Sequence, residues 1–152
     1  MTSLEPGQLW VMRIHGFAGA IVLLAVALAG EVALASADVA PFGLLLAAAV
    51  LLGLYPGLIS PGKHYRAWGY RVEAEELHVS HGVWTMVRTV VPFSRVQHID
   101  VAQGPIERHF RVSRLVLHTA GTAHSEVVLP GLTRATAEAL RDQIRAQIRR
   151  ES

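Results

Sequence analysis

From Ile14 to Gly62 the chain carries only two charged side chains, Glu31 and Asp38. Residues 63–152 hold thirteen of the fourteen Lys/Arg and nine of the twelve Asp/Glu, so this part is +4 and the part before it is −2. Charged residues make up 17% of the chain, below the roughly 25% of an ordinary soluble domain. That partition excludes a uniform globule and a disordered chain. It requires a membrane-embedded segment followed by a soluble domain of about ninety residues, enough for one modest core and small for an enzyme. The absence of cysteine removes disulfides, thiolate metal sites and a cysteine nucleophile.

Residues 14–30 contain no Asp, Glu, Lys or Arg. As a helix they rise roughly 25 Å, slightly short of a ~30 Å hydrocarbon core. Extension past Glu31 to Ala37 supplies the missing turns and places Glu31 near a helix end, facing the headgroups. The alternative for Glu31 is an intramembrane proton or ion site. Residues 39–62 form a second span, with Pro41 suited to its first turn, Tyr55 to anchor it and Pro56 to bend or end it. The short connection Ser36-Ala37-Asp38 makes the spans antiparallel neighbours, and Gly16, Gly19, Gly30, Gly43 and Gly53 permit close approach. Ala35-Ser36-Ala37 also reads as a signal-peptidase site, although the apolar run is long and the leading segment carries Glu5 with one Arg. Arg13 precedes the first span, and Lys63, Arg66 and Arg71 follow the second. The positive-inside rule therefore expects both ends, and the soluble domain, in the cytoplasm of a multi-pass inner-membrane protein. The expected segments are a cytoplasmic N-terminus 1–13, a helical hairpin 14–62 and a soluble domain 66–150.

Beyond Ala67 short β-like runs take over. Tyr70, Val72 and Ala74 alternate with polar residues, as do Leu77, Val79 and His81. Gly82 breaks the run, 84–91 resumes it and Pro92 ends it. Residues 96–103 give a strand with Ile99 and Val101 on one face. Residues 115–119 and 126–129 flank Ala120-Gly121-Thr122-Ala123, a hairpin connection. Such spacing predicts an antiparallel sandwich or barrel. Ala137, Leu140, Ile144 and Ile148 then recur at helical spacing, with Thr133 as N-cap and Leu132 as a staple onto Ala137. This helix is expected to close an open end of the barrel.

The run from Pro92 through Arg95, Gln97, Gln103, Gly104 and Pro105 to Arg108 resembles the signature of the bacterial pleckstrin-homology-like (PH-like) domain of the YdbS type. The resemblance continues through Thr119-Ala120-Gly121 and Leu129-Pro130-Gly131-Leu132 and covers residues 66–148. It implies a transmembrane helical hairpin followed by an α+β PH-like domain, two partly orthogonal antiparallel β-sheets capped by a C-terminal helix. It also implies a larger membrane-protein partner carrying several such domains, and allows self-association into a homo-oligomer. The family usually has glycine where Arg111 stands, after a helical turn at 106–110. If a left-handed backbone is needed there, arginine costs on the order of 1 kcal/mol. Eukaryotic relatives bind phosphoinositides through a basic loop between their first two strands. Here that loop, Glu73-Ala74-Glu75-Glu76, is acidic, so that activity does not carry over.

Pro92, Arg95, Gln97, Gln103, Gly104, Thr119, Gly121 and Gly131 are expected to be structural. Gln97 and Gln103 share strand parity with Ile99 and Val101, and a polar ligand site is their alternative role. The eight histidines offer no three-ligand zinc pattern: His78 and His81 face opposite ways, and His118 and His124 make a pair without a third ligand. His98 and Asp100 resemble two members of a triad, with no nucleophile motif around any Ser. No catalytic residue, metal or cofactor is expected. Arginine is more informative. Arg108, Arg111 and Arg114 crowd one turn and are the candidate binding residues. Arg134, Arg141, Arg145 and Arg149 form a helix stripe expected to be solvated, with Glu138 and Asp142 as (i, i+3) partners of Arg141 and Arg145. The expected function is a non-enzymatic, bilayer-anchored interaction or assembly module, in an export or envelope-stress setting, with no nucleic-acid partner. A transport assembly using the two spans and Glu31 is the alternative, and a lipid-modifying enzyme lacks a nucleophile or metal cluster.

Overall fold

The computed structural model describes residues 1–35, 43–120 and 126–151. Three helical stretches come first: α1 (Pro6–Ala35), α2 (Leu44–Leu54) leading through a π-helical turn (Tyr55–Ile59), and α3 (Ser60–Ala67). Strands β1 (Gly69–Val72), β2 (Glu76–His81) and β3 (Val87–Pro92) follow, then a 3-10 turn (Phe93–Arg95) and β4 (Val96–Ala102). Helix α4 (Pro105–His109), β5 (Ser113–Thr119), β6 (Glu126–Leu132) and α5 (Arg134–Glu151) complete the chain. Residues divide into two units, Val11–Lys63 and a second one made of Met1–Trp10 with His64–Ser152.

In the helical unit, Pro6–Leu34 and Leu44–Ala67 are long and apolar enough to cross a membrane. The second run does not stop at Pro56. A proline inside a helix lacks an amide donor and crowds the preceding turn. One π-helical turn absorbs it, with the Ser60 N–H donating to the Tyr55 carbonyl five residues back. The two runs touch through backbone: a Cβ on Gly16 would lie 2.1 Å from the Pro56 carbonyl oxygen. A Cβ on Gly19 or Gly43 would meet nothing within 4 Å among the described residues, so neither is needed for this approach.

Glu31 is buried and does not face outward as expected. Its Oε2 accepts the Gly43 N–H at 2.7 Å and its Oε1 accepts the Leu45 N–H at 2.5 Å. The first amides of a helix have no intrahelical acceptor. A carboxylate there satisfies them and meets the positive end of the helix dipole. The expected connection at 36–38 and Pro41 lie outside the described residues.

In the second unit, β1–β2–β3 form one antiparallel sheet and β4–β5–β6 another. Leu77, Val79 and Val91 from the first are buried, as are Ile99, Leu115, Leu117 and Leu129 from the second and Phe93 from the 3-10 turn. Ala137, Leu140 and Ile144 bury one stripe of α5, which packs on β4, β5 and the 3-10 turn. The Thr133 hydroxyl accepts the Thr136 N–H at 3.0 Å, the side-chain cap of α5. Two expectations fail locally. Trp84 lies in the turn before β3, not in the strand. A register shift between Val96 and His98 buries both Val96 and Ile99 and turns Gln97 outward, breaking its parity with Ile99.

The N-terminus is not a separate segment. Thr2 and Tyr70 exchange backbone hydrogen bonds of 2.8 and 3.1 Å, and the Glu5 N–H donates to the Gly131 carbonyl at 2.8 Å. The Tyr65 hydroxyl donates to the Leu4 carbonyl at 2.7 Å, and Leu4 is buried. Gly131 has φ +66°, and a Cβ there would lie 2.8 Å from Gln8 Cβ. A side chain at 131 would therefore strain the backbone and lever the N-terminal segment away.

Arg111 has φ 55°. The Val112 N–H bonds the Glu107 carbonyl at 2.9 Å and the Arg111 N–H bonds the Arg108 carbonyl at 3.2 Å. These are the 6→1 and 5→2 bonds of a Schellman end to α4, in which Arg111 takes the left-handed position usually held by glycine. Arg111→Gly is expected to raise stability by up to about 1 kcal/mol, and Arg111→Val to lower it. Thermal unfolding of the detergent-solubilised chain checks the order Gly, Arg, Val. The fully buried Ile144 gives the second test. Ile144→Ala should cost roughly 2–5 kcal/mol and Ile144→Asp more, seen as faster proteolysis of the domain. Gln143→Ala on the exposed side should change it little.

Candidate functional site

Helix α5 buries the stripe Ala137, Leu140 and Ile144, which leaves Arg134, Arg141 and Arg145 along a neighbouring side. Helix α4 presents Arg108. Strand β4 brings His98 and Asp100. These elements enclose a depression of about 470 Å³ lined by Arg108, Arg134, Arg141 and Arg145, with Asp100 and Glu138 as its carboxylates. Four guanidinium groups thus face two carboxylates. The Ser113 hydroxyl also lines it; it is buried and has no hydrogen-bond partner among the described residues. A buried hydroxyl without a partner carries an unmet desolvation cost until a ligand group or water reaches it.

The charges on α5 pair differently from expectation. Arg134 Nε donates to Glu138 Oε1 at 2.8 Å, and the Arg141 guanidinium donates to Asp142 Oδ1 at 2.9 Å. The Arg141 hydrogen bond holds the Asp142 carboxyl below the usual carboxylate range; burial opposes this, and the Arg141, Arg145 and Arg149 charges assist it. Exposed pairs of this kind add little stability, so the arginines remain able to exchange partners.

The three arginines grouped by sequence part company in space. Arg108 lines the groove, whereas Arg111 and Arg114 do not. Arg111 forms the α4 terminus. Arg114 Nη1 lies 3.9 Å from Glu107 Oε1, and Glu107 Oε2 accepts the Gly104 N–H at 2.6 Å. Of the helix stripe, Arg134, Arg141 and Arg145 line the same open groove as Arg108, and Arg149 lines another depression beside Val96 and Ile99. No sequence pattern links α4 to α5, so this pairing was not visible at 108 or at 134–145.

Other motif residues serve the chain's path. Pro92 ends β3 ahead of the 3-10 turn, and the Arg95 carbonyl accepts the Ala120 N–H at 2.9 Å while its side chain is exposed. Gln103 Nε2 donates to the Val112 carbonyl at 2.8 Å across the α4 turn, and the exposed Gln97 makes no comparable contact. Thr119 closes β5, half-buried, and Gly131 admits the N-terminal segment. Gly121 and His124 lie outside the described residues.

Asp100 sits between two imidazoles, with His98 Nε2 at 2.9 Å and His118 Nε2 at 3.3 Å. At the β1–β2 turn, Glu73, Glu76 and His78 bring their ligand atoms within 4.8 Å of one another. That trio is already occupied by its own ion pairs: His78 Nε2 lies 2.6 Å from Glu76, and Arg71 lies 3.7 Å from Glu73. A more apolar depression of about 530 Å³ lies between β2–β3 and β6, bordered by Trp68, Val79, Val87 and Val127.

Residues 17–148 match the family described as Bacterial PH domain. The chain is also similar to the UPF0699 transmembrane protein YdbS of Bacillus subtilis (strain 168), 35% identical over 101 residues. That match covers 66% of this chain and 62% of the relative, so the chain spans less than two thirds of the relative's length. No solved structure matches. Two apolar helical runs, two three-stranded sheets, a closing helix and a match over most of the chain lead to one assignment: this membrane protein, with its PH-like domain, belongs to the bacterial PH domain family.

Proposed function

We propose that the chain is a non-enzymatic, membrane-anchored interaction module whose arginine-lined groove receives an acidic segment of a membrane-protein partner. The observation that carries this reading is the convergence of Arg108 with Arg134, Arg141 and Arg145 around the unpartnered Ser113 hydroxyl. Guanidinium forks pair carboxylates bidentately, and a hydroxyl at the floor adds a neutral donor. A larger membrane protein with several PH-like domains is the partner class the family suggests. Binding rather than catalysis is favoured because guanidinium groups dominate the lining and no nucleophile motif surrounds any Ser. The transport alternative loses support, since both Glu31 oxygens are engaged as a helix cap.

Sidedness has support from two directions. Arg13, Lys63, Arg66 and Arg71 flank the apolar runs, which favours their cytoplasmic placement. Residues Met1–Trp10 and His64–Ser152 share one unit, and a chain that leaves a folded unit and returns to it must cross a bilayer an even number of times. Two spans with both termini and the domain in the cytoplasm satisfy both arguments. A reporter active only in the cytoplasm should therefore work when fused at either terminus. Activity at one end alone, or at neither, would overturn this topology.

Affinity purification of the detergent-solubilised chain tests the groove. Arg108→Glu with Arg141→Glu should abolish recovery of a membrane-protein partner, while Arg114→Glu should leave it intact. Partner recovery unaffected by the groove pair would refute the assignment. Loss with Arg114→Glu alone would move the interface to the α4 turn.

A further inference from the structure

The turn between β2 and β3 ends in two large apolar side chains held in water. Trp84 is 87% exposed and Met86 60%. The turn is not slack: Gly82 has φ +109°, and a Cβ there would lie 2.0 Å from the Thr85 carbonyl oxygen, so the backbone is drawn tight. Apolar side chains exposed together, unlike ones scattered singly, mark interaction sites, and an indole suits a boundary with one apolar and one wet side.

The sheet register says where this turn lies relative to the incoming chain. Gly69 is paired with Ser80 and Tyr70 with Val79, so the β2–β3 turn shares the end of the sheet where β1 begins. Gly69 follows by two residues the end of the apolar run Leu44–Ala67. The Trp68 ring, between them, lies 4.7 Å from the His81 ring at that same end. The opposite end holds the β1–β2 turn, with Glu73, Glu75 and Glu76, and Glu76 pairs with Pro92 there.

Charge follows the same division. No Asp or Glu occurs from Leu77 to Ile99. The charge nearest the turn along the chain is Arg88, exposed and paired across the sheet with Ser80, while Glu126 of β6 borders the depression next to His81 and Val87. One end of the sheet is thus apolar and basic, and the other is acidic. An indole, a thioether and an arginine at the sheet end where the chain arrives from its apolar run suit the bilayer interface, where aromatic rings gather and anionic headgroups attract cations. We propose that Trp84 and Met86 insert into the headgroup region of the bilayer the chain spans, giving the domain a third, reversible attachment besides its covalent links. This rests on the membrane reading of Leu44–Ala67 and is independent of sidedness and of what occupies the arginine groove.

Because the chain has no cysteine, a single nitroxide can be placed at Met86→Cys in the full-length chain. The chain is reconstituted in vesicles of equal parts phosphatidylcholine and phosphatidylglycerol. Ala74→Cys, in the acidic turn, serves as the aqueous reference. The label at 86 should be several-fold more accessible to oxygen, and several-fold less to a water-soluble nickel chelate, than the label at 74. Adding Trp84→Ser should bring the label at 86 back toward the aqueous values. Equal chelate accessibility at both positions would overturn the proposal. So would a label at 86 sheltered from both reagents with spin–spin broadening, since that places a second copy on the turn instead of lipid.

Discussion

The fold depends on a contact between the two ends of a long detour. Thr2 pairs with Tyr70, Glu5 with Gly131 and Leu4 with Tyr65, so a domain that otherwise begins at His64 starts at Met1. Each hydrogen bond contributes only about 0.5–1.5 kcal/mol net. Their force lies in being made together around a buried Leu4, at a point where Gly131 has no side chain to obstruct them. The apolar residues Val11–Lys63 are consequently an excursion from a folded unit and not a tail attached to it.

Within the apolar runs the governing rule is that lipid offers no hydrogen bonds, so backbone groups must be satisfied internally. Glu31 and Pro56 are two responses to it. Pro56 removes an amide donor, and the helix widens by one residue per turn instead of ending. Glu31 supplies acceptors to amides at the start of α2 that have none. A carboxylate in an apolar run suggests ion chemistry when the sequence is viewed alone. In space it is a cap placed twelve residues before its first partner.

Much of this was legible, and the division between legible and hidden features has a physical basis. The alternation of Leu77 and Val79, the stripe Ala137–Leu140–Ile144 and the Thr133 cap are local, and local period determines which face is buried; it lapses at the end of β2, where Ser80 is buried and His81 half-buried. The left-handed backbone at Arg111 was anticipated from the resemblance to a family that has glycine there. What stayed hidden depends on distant chain or on single-residue irregularities. One extra residue near Val96 turns Gln97 outward. Tight turning at Gly82 takes Trp84 out of β3. The N-terminal docking and the meeting of Arg108 with Arg134, Arg141 and Arg145 join segments whose sequences carry no mark of each other.

The same division separates the two walls of the groove: the most recognisable stretch supplies one, from His98 to Val101 with Gln103 and Arg108, and α5 supplies the other. Gln103 holds the Val112 carbonyl, Gly104 donates to Glu107, and Glu107 and Arg108 supply the carbonyls of the Schellman end. These contacts fix the position of α4 against β5. Arg108 and Gln103 are then carried to the groove, where α5 meets them with arginines that belong to no motif. A motif of this kind constrains backbone, because backbone geometry tolerates few alternatives. Recognition can be supplied by any guanidinium of suitable reach on a helix face. The fold therefore identifies the family, while on the proposed reading the spacing of Arg134, Arg141 and Arg145 on α5 sets what the groove can hold.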